Sequence, residues 1–373
     1  MKKILIIYPD PFLSYSPTTL NLHDSLAAGA GVSILTFEPD PKYSSHRITD
    51  RNVNYIPVPP AAGLIKRLAR KVAVKTGIKD STDLLRTPKA EVLIKSIKQF
   101  DGEIIAVDFF ALWCAQKAGK KAHFLSLEIY QQDKYKDACD PNAIKSVIIQ
   151  SDERYNYLFG HRQLKKFLVP NAPAYIDEPV QMARREKKNL IFCGSAIPGF
   201  GIFSCIEFIN DFPEYTLSVK GAVPQKIKEQ IENNFSSLLK TGRLILNDQY
   251  MEPAALNRYV GDFRIGFVFY DFYRFENIDT FNYKTAPSGK LFQYYNAGIP
   301  VIGNNVPGLS SITQYKTGIQ ISTMGSLAIK RAIDEIESNY EGFAMNSKKA
   351  SENFDFNRNV GPFVDFLNGP NKS

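Results

Sequence analysis

The sequence has only four cysteines among 373 residues, at positions 114, 139, 193 and 205. None forms a Cys-x-x-Cys pair and no histidine-rich spacing accompanies them. A disulfide framework and a thiolate zinc site are both excluded, and Cys114 and Cys193, in apolar runs, read as reduced core residues. Long apolar runs are also missing: nothing reaches the ~18–20 residues needed to span a bilayer. The opening run, Lys3 to Tyr8, is too short for a signal peptide and is followed by Asp10 and Pro11. It reads as a first β-strand, and the chain is expected in the cytoplasm.

Several catalytic signatures are absent too. The loop after the first strand, Tyr8-Pro9-Asp10-Pro11-Phe12, lacks Gly-x-Gly-x-x-Gly, which argues against a nicotinamide or flavin enzyme. Gly194 to Gly201 is glycine-rich and follows a strand, but lacks the Gly-Lys-Ser/Thr ending of a nucleotide-triphosphate loop. There is no Gly-x-Ser-x-Gly elbow. No Asp-x-Asp occurs, so no metal-binding carboxylate pair, and hence no bound Mg²⁺ or Mn²⁺, is expected. Acidic residues are outnumbered, 38 against 46 Lys and Arg, for a net charge of +8. The balance favours anionic partners: phosphates, nucleic acid or an acidic membrane surface.

What is present is ordinary for a globular α/β protein, with 44% hydrophobic and 23% charged residues. The length suggests two domains. Strand-like runs lie at 3–8, 31–37, 104–107, 123–127, 146–150 and 167–169, with a helical stretch at 110–119. The proline- and charge-rich stretch 171–188 then reads as a linker. A second series follows at 190–193, 215–219, 243–246, 265–269 and 301–302. Its helical patterns span 225–239, 253–260, 290–295 and 326–338. Strands alternating with helices predict parallel sheets covered on both faces, with ligands at the carboxyl ends of the strands. The expected fold is two facing Rossmann-like domains with a cleft between them: 1–170, 189–354, and a C-terminal helix, 355–373, returning to the first.

The most specific segment is Ala286-Pro287-Ser288-Gly289-Lys290-Leu291-Phe292-Gln293-Tyr294-Tyr295-Asn296-Ala297-Gly298-Ile299-Pro300-Val301-Ile302. It resembles the donor-site signature of GT-B glycosyltransferases of the family 4 type, where a loop, a helix and a Gly-x-Pro-Val-Ile strand follow in this order. Asp108-Phe109-Phe110, Leu127-Glu128-Ile129-Tyr130, Val169-Pro170-Asn171, Phe192-Cys193-Gly194 and Tyr270-Asp271 resemble further family segments in the same order. The resemblance implies a metal-independent, cofactor-free transfer of a hexosyl-type group from a nucleotide sugar to a hydroxyl. The acceptor would be a glycan or a lipid-linked molecule, in bacterial surface-polysaccharide or glycolipid assembly. Ser288 and Gly289 would offer backbone N–H groups to a diphosphate, and Lys290 a positive charge. Without a ligand the same features read as a helix cap and a turn. Gly194, Asp271 and Asn282 are further donor-site candidates. The family's Glu-x7-Glu pair is replaced by Thr285 and Gln293, of which Gln293 keeps the capacity to bond a hydroxyl. No basic residue stands in 194–201, and Lys220 and Arg243 are the available substitutes for the family's second phosphate-binding cation.

In the first domain, Glu128 is a candidate acceptor contact or catalytic base, with a helix-capping role as the alternative. Asp108 is either a cap or an acceptor contact, and His23 is either catalytic or structural. Tyr270, Phe272, Tyr273 and Phe275 can frame a base or sugar or simply pack. Residues 64–72 can form a basic amphipathic helix whose Lys66, Arg67, Arg70 and Lys71 face an anionic membrane on the inner side of the cell. A solvated helix packed on its own domain is the alternative, and nucleic-acid binding is disfavoured for want of a binding motif. Two other functions fit the same residues: a nucleotide-sugar epimerase on this fold, and a non-catalytic nucleotide-sugar or glycan-binding protein.

Overall fold

The structure is a computed structural model that describes residues 1–39, 47–60, 87–130, 132–160, 162–180, 182, 185–249, 251–274 and 280–369. The basic segment with Lys66, Arg67, Arg70 and Lys71, and also Phe275, lie outside the described residues. No helix among the described residues is long and apolar enough to cross a membrane.

The chain forms two compact units, Met1–Pro170 with Asn357–Ser373, and Asn171–Phe356. The first holds β1 (Lys3–Ile7), β2 (Gly31–Phe37), β3 (Val53–Ile56), β4 (Glu103–Val107), β5 (Ala122–Leu125), β6 (Ile144–Ile149) and β7 (Lys166–Leu168). They form one sheet in the order β3-β2-β1-β4-β5-β6-β7, and every pairing is parallel. The second holds β8 (Asn189–Cys193), β9 (Thr216–Lys220), β10 (Leu244–Asn247), β11 (Ile265–Val268), β12 (Val301–Asn304) and β13 (Gly318–Ile321). Their order, β10-β9-β8-β11-β12-β13, is again wholly parallel. Central strands such as β1, β4, β8 and β11 are buried almost throughout. Continuous apolar runs of this kind are what a sheet covered on both faces requires.

Two strands differ from the sequence expectation: β3 and β13 were not anticipated. Both are edge strands with half-exposed residues, so each carries too few apolar side chains to give a clear pattern. The helix expected over 225–239 is two, Gln225–Asn234 and Ser236–Lys240. The break falls at Phe235, whose N–H bonds to the Ile231 carbonyl after the poor helix formers Asn233 and Asn234. The helix expected from 110 begins instead at Asp108, directly at the end of β4.

The stretch 171–188 is bound to the second unit. Asn296 donates to the Ala174 carbonyl and accepts from the Ile176 N–H. Arg185 is buried and donates to the carbonyls of Gly261, Ala297 and Gly298, capping the ends of two helices with a cation. The terminal helix Phe356–Asn368 lays Phe363 against His123 and Phe167, with ring centroids 5.5 and 5.3 Å apart. The His123 imidazole there is bonded to Ser146 and Glu103. Burial holds its pKa down at about 4.

Candidate functional site

In each sheet the strand order reverses beside the first strand, between β1 and β4 and between β8 and β11. Loops leaving the carboxyl ends there diverge and leave a crevice, the usual ligand position of this architecture. The sequence candidates fall into two groups at these two places.

In the second unit, β8 is followed by Gly194, whose φ of +97° suits glycine alone. A Cβ on Gly194 would stand 2.8 Å from Cε of Lys290, and one on Gly221 would stand 2.4 Å from the Gly194 carbonyl oxygen. The turn is thus packed between the lysine and the end of β9: a Cβ on Gly221 would strike backbone, and one on Gly194 would displace the lysine. Lys290 is in the first turn of the helix Gly289–Asn296. One turn later, the Tyr294 hydroxyl accepts from the Cys193 N–H at 2.8 Å and donates to the Phe267 carbonyl at 3.2 Å. Gly266 makes that possible, since a Cβ there would meet the Tyr294 ring at 2.8 Å. Residues four apart share a helix face, so the anchoring of Tyr294 directs Lys290 at the Gly194 turn.

Part of Lys290 reaches the surface, but its Nζ is buried and has no hydrogen-bond partner in the described structure. The nitrogen lies 4.6 Å from the ring centre of Phe192 and 4.1 Å from that of Phe200. Burial lowers its pKa from 10.5 to about 7. Ring faces attract a cation, but they do not replace the hydrogen bonds of water. On the same helix, Nε2 of Gln293 is also buried without a partner. Ser288 is buried and stands at the N-cap of this helix without a side-chain cap hydrogen bond. Gly289 lies near Asn171, with ordinary van der Waals space for a Cβ.

Lys220 ends β9 in register with Cys193. It donates to Asn247 and to the Gln249 carbonyl, and burial lowers its pKa. Arg243 is excluded as a partner of this site: it precedes β10, at the sheet's opposite end, and bonds to the carbonyls of Ile209, Phe212 and Tyr215. Asp271 follows β11; its N–H bonds to the Gly199 carbonyl, and its carboxylate pairs with Arg274 at 3.2 Å. Asn282 and Thr285 are buried, and Thr285 Oγ1 donates to the Phe281 carbonyl. Phe200, Tyr270 and Tyr283 form an aromatic cluster with centroids 5.9–6.1 Å apart, and Phe272 stacks on Tyr270. Tyr273 is fully exposed. Sequence reading missed the slot of Phe192 and Phe200 and the role of Gly221. Their only sequence signal was position, at or just after a strand end.

In the first unit, Asp108 directly follows β4 with a φ of +58°. Its Oδ1 accepts from the N–H groups of Leu127 (2.8 Å) and Glu128 (3.1 Å), tying β4 to the loop after β5. Burial of the carboxyl raises its pKa to about 7, against those hydrogen bonds, and the neighbouring Glu128 charge adds to the rise. Glu128 itself is exposed. The Tyr8 hydroxyl is pushed well above its ordinary range, first by burial and then by the charges of Asp10, Asp108 and Glu128. His23, in the helix Pro17–Ala27, is buried with Nδ1 on Asp24, and Arg51 clamps Asp24.

No protein-family model matches the sequence, and no curated protein matches it. Solved structures do. One is Anabaena Alr3699/HepE in complex with UDP and glucose, with TM-score 0.66 and 13% identity over 99% of this chain and 100% of that one. Another is the pneumococcal O-GlcNAc transferase GtfA in complex with UDP and GlcNAc, with TM-score 0.66 and 10% identity over 98% of each chain. A third is a mutant of S. aureus TarM in complex with Fondaparinux, alpha-GlcNAc-glycerol and UDP, with TM-score 0.65 and 12% identity over 99% and 100%. The fold of this chain is the GT-B fold of these glycosyltransferases. At such identities the likeness carries architecture alone, and activity has to be argued from the site.

Proposed function

We propose that the chain is a metal-independent glycosyltransferase that moves a hexosyl-type group from a nucleotide sugar to a hydroxyl of a glycan or lipid-linked acceptor. The observation that carries this reading is the buried, unpartnered Nζ of Lys290 beside Gly194, at the place where the strand order of the second sheet reverses. An unpaired buried ammonium is costly, and a diphosphate supplies the missing acceptor. UDP in the complexes of the three structural neighbours supports a nucleotide diphosphate as that ligand.

In this reading the N–H groups of Ser288 and Gly289 and the ammonium of Lys290 bind the diphosphate. Gln293 bonds a ribose hydroxyl, while Asp271, Asn282 and Thr285 line the sugar. As the bond from the anomeric carbon to the phosphate oxygen breaks, the electron pair leaves on the diphosphate. Lys290 and the helix N-terminus stabilise that charge. Glu128 takes the proton of the acceptor hydroxyl as the new glycosidic bond forms; Asp108 orders its loop, and His23 belongs to the same acceptor side. Surface-polysaccharide or glycolipid assembly is the proposed setting, with the segment of Lys66, Arg67, Arg70 and Lys71 on the cytoplasmic membrane face.

The test is UDP release from a panel of UDP-sugars, with and without a broad panel of glycan and lipid-linked acceptors. Acceptor-dependent release is expected. Conversion of the nucleotide sugar without acceptor would make the chain an epimerase. Tight binding with neither release nor conversion would make it a binding protein.

A further inference from the structure

Lys290 has two environments open to it. One is the slot it occupies, between the Phe192 and Phe200 rings with Gly194 against its Cε. The other is the anion position that a helix N-terminus offers at the carboxyl edge of such a sheet, and the flexible four-carbon stem allows the rotation between them. In the slot no acceptor meets Nζ. The titratable groups that act on it are two thiols, Cys193 at the end of β8 and Cys205 on the helix Ile202–Asp211. Both thiols are buried and held protonated by that burial, so neither supplies a counter-charge. Glu207 and Lys220 act on those thiols rather than on the lysine. Tyr294, on the same helix, is protonated and committed to the strand ends.

Resting on the proposed donor site, we infer that Lys290 is stored uncharged in this aromatic slot and that an arriving nucleotide diphosphate draws it out and protonates it. Donor binding then takes up a proton from solvent. A neutral amine in the slot avoids the cost of a desolvated cation, and a diphosphate restores the preference for the charged form. The lowered pKa of about 7 agrees with this storage. The coupling has a direction. Below pH 7 Lys290 is already charged before the ligand arrives, and affinity is insensitive to pH on this account. Above pH 7 each binding event must add the missing proton, so affinity falls as pH rises. The terminal phosphate of UDP, with a second ionisation near ~6, is fully ionised there and contributes no slope.

The experiment is calorimetric titration of the full chain with UDP at pH 7.5 and 8.5, in buffers of different ionisation enthalpy. Proton uptake approaching one per UDP at pH 8.5 is expected, with Kd rising several-fold to tenfold between the two pH values. Lys290→Met is expected to bind more weakly and to take up no proton. A circular-dichroism melt of each protein shows that the variant is folded. UDP binding by the wild-type chain with no proton uptake and a flat Kd would overturn the inference and leave the donor site standing. Failure of UDP and of other nucleoside diphosphates to bind at all would overturn the donor site, and the inference with it.

Discussion

The carboxyl edges of the two sheets are built on the same strand order and carry opposite chemistry. The first carries the acidic residues Asp10, Asp108 and Glu128, whose charges all act on the Tyr8 hydroxyl. The second gathers Lys290 and Lys220 around the Gly194 turn. One edge suits accepting a proton from a hydroxyl, and the other suits holding an anion. Both contain a desolvated titratable group, and the two respond to pH in opposite senses. Asp108 has a folded pKa of about 7, above its ordinary 3.8. The folded chain therefore holds more protons than the unfolded one between these values, and stability falls as pH rises from about 4 to 7. Lys290 has a folded pKa of about 7, below its ordinary 10.5. Here the unfolded chain holds more protons, and stability rises with pH from about 7 to 10.

The contrast can be broken one edge at a time. The largest expected effect is from Glu128→Gln, which should lower sugar transfer by roughly 10²–10⁴-fold, the usual worth of a general base, while UDP affinity measured by calorimetry stays unchanged. Next, Lys290→Ala should weaken UDP binding by roughly tenfold to a hundredfold, as expected for hydrogen bonds to a charged group at ~1.5–3 kcal/mol. Asp108→Ala removes an acceptor from two N–H groups and places alanine at a φ of +58°. It should cost about 1–3 kcal/mol in denaturant unfolding. Asp108→Asn keeps the acceptor and tolerates that backbone, so it should be milder and should remove the stability loss between pH 4 and 7. The smallest effect is from Gly194→Ala, which should cost about 1–2 kcal/mol of stability for its positive φ and displace Lys290 enough to weaken UDP binding measurably.

How much of this was readable from sequence follows from where the information lies. Central strands such as β1, with its run Ile4–Ile7, declare themselves because burial on both faces demands unbroken apolar residues. The helix Ser326–Ser338 matches its sequence bounds because its apolar spacing is regular. Edge strands β3 and β13 pack on one side only and leave a weaker trace. At the site, Ser288-Gly289-Lys290 was legible as an anion cradle because its helix start and charge are local in the chain. The burial of Nζ was not, because Phe192, Gly194 and Phe200 approach Lys290 across roughly ninety residues of sequence. The hydrogen bonds from Leu127 and Glu128 to Asp108 are long-range in the same way.

The central claim is that Lys290 is retained in an unfavourable buried position for the sake of a diphosphate. A thermal-shift comparison of wild type and Lys290→Met, with and without UDP at neutral pH, tests it most directly. The expected result is a variant that melts higher than wild type without ligand, because an unsatisfied amine has become an apolar side chain, and that shows at most about half of the wild-type shift with the same UDP. Wild type should gain ~2.7 kcal/mol when UDP is present at a hundred times its Kd. A variant that melts lower than wild type, yet keeps the full UDP shift, would contradict the account.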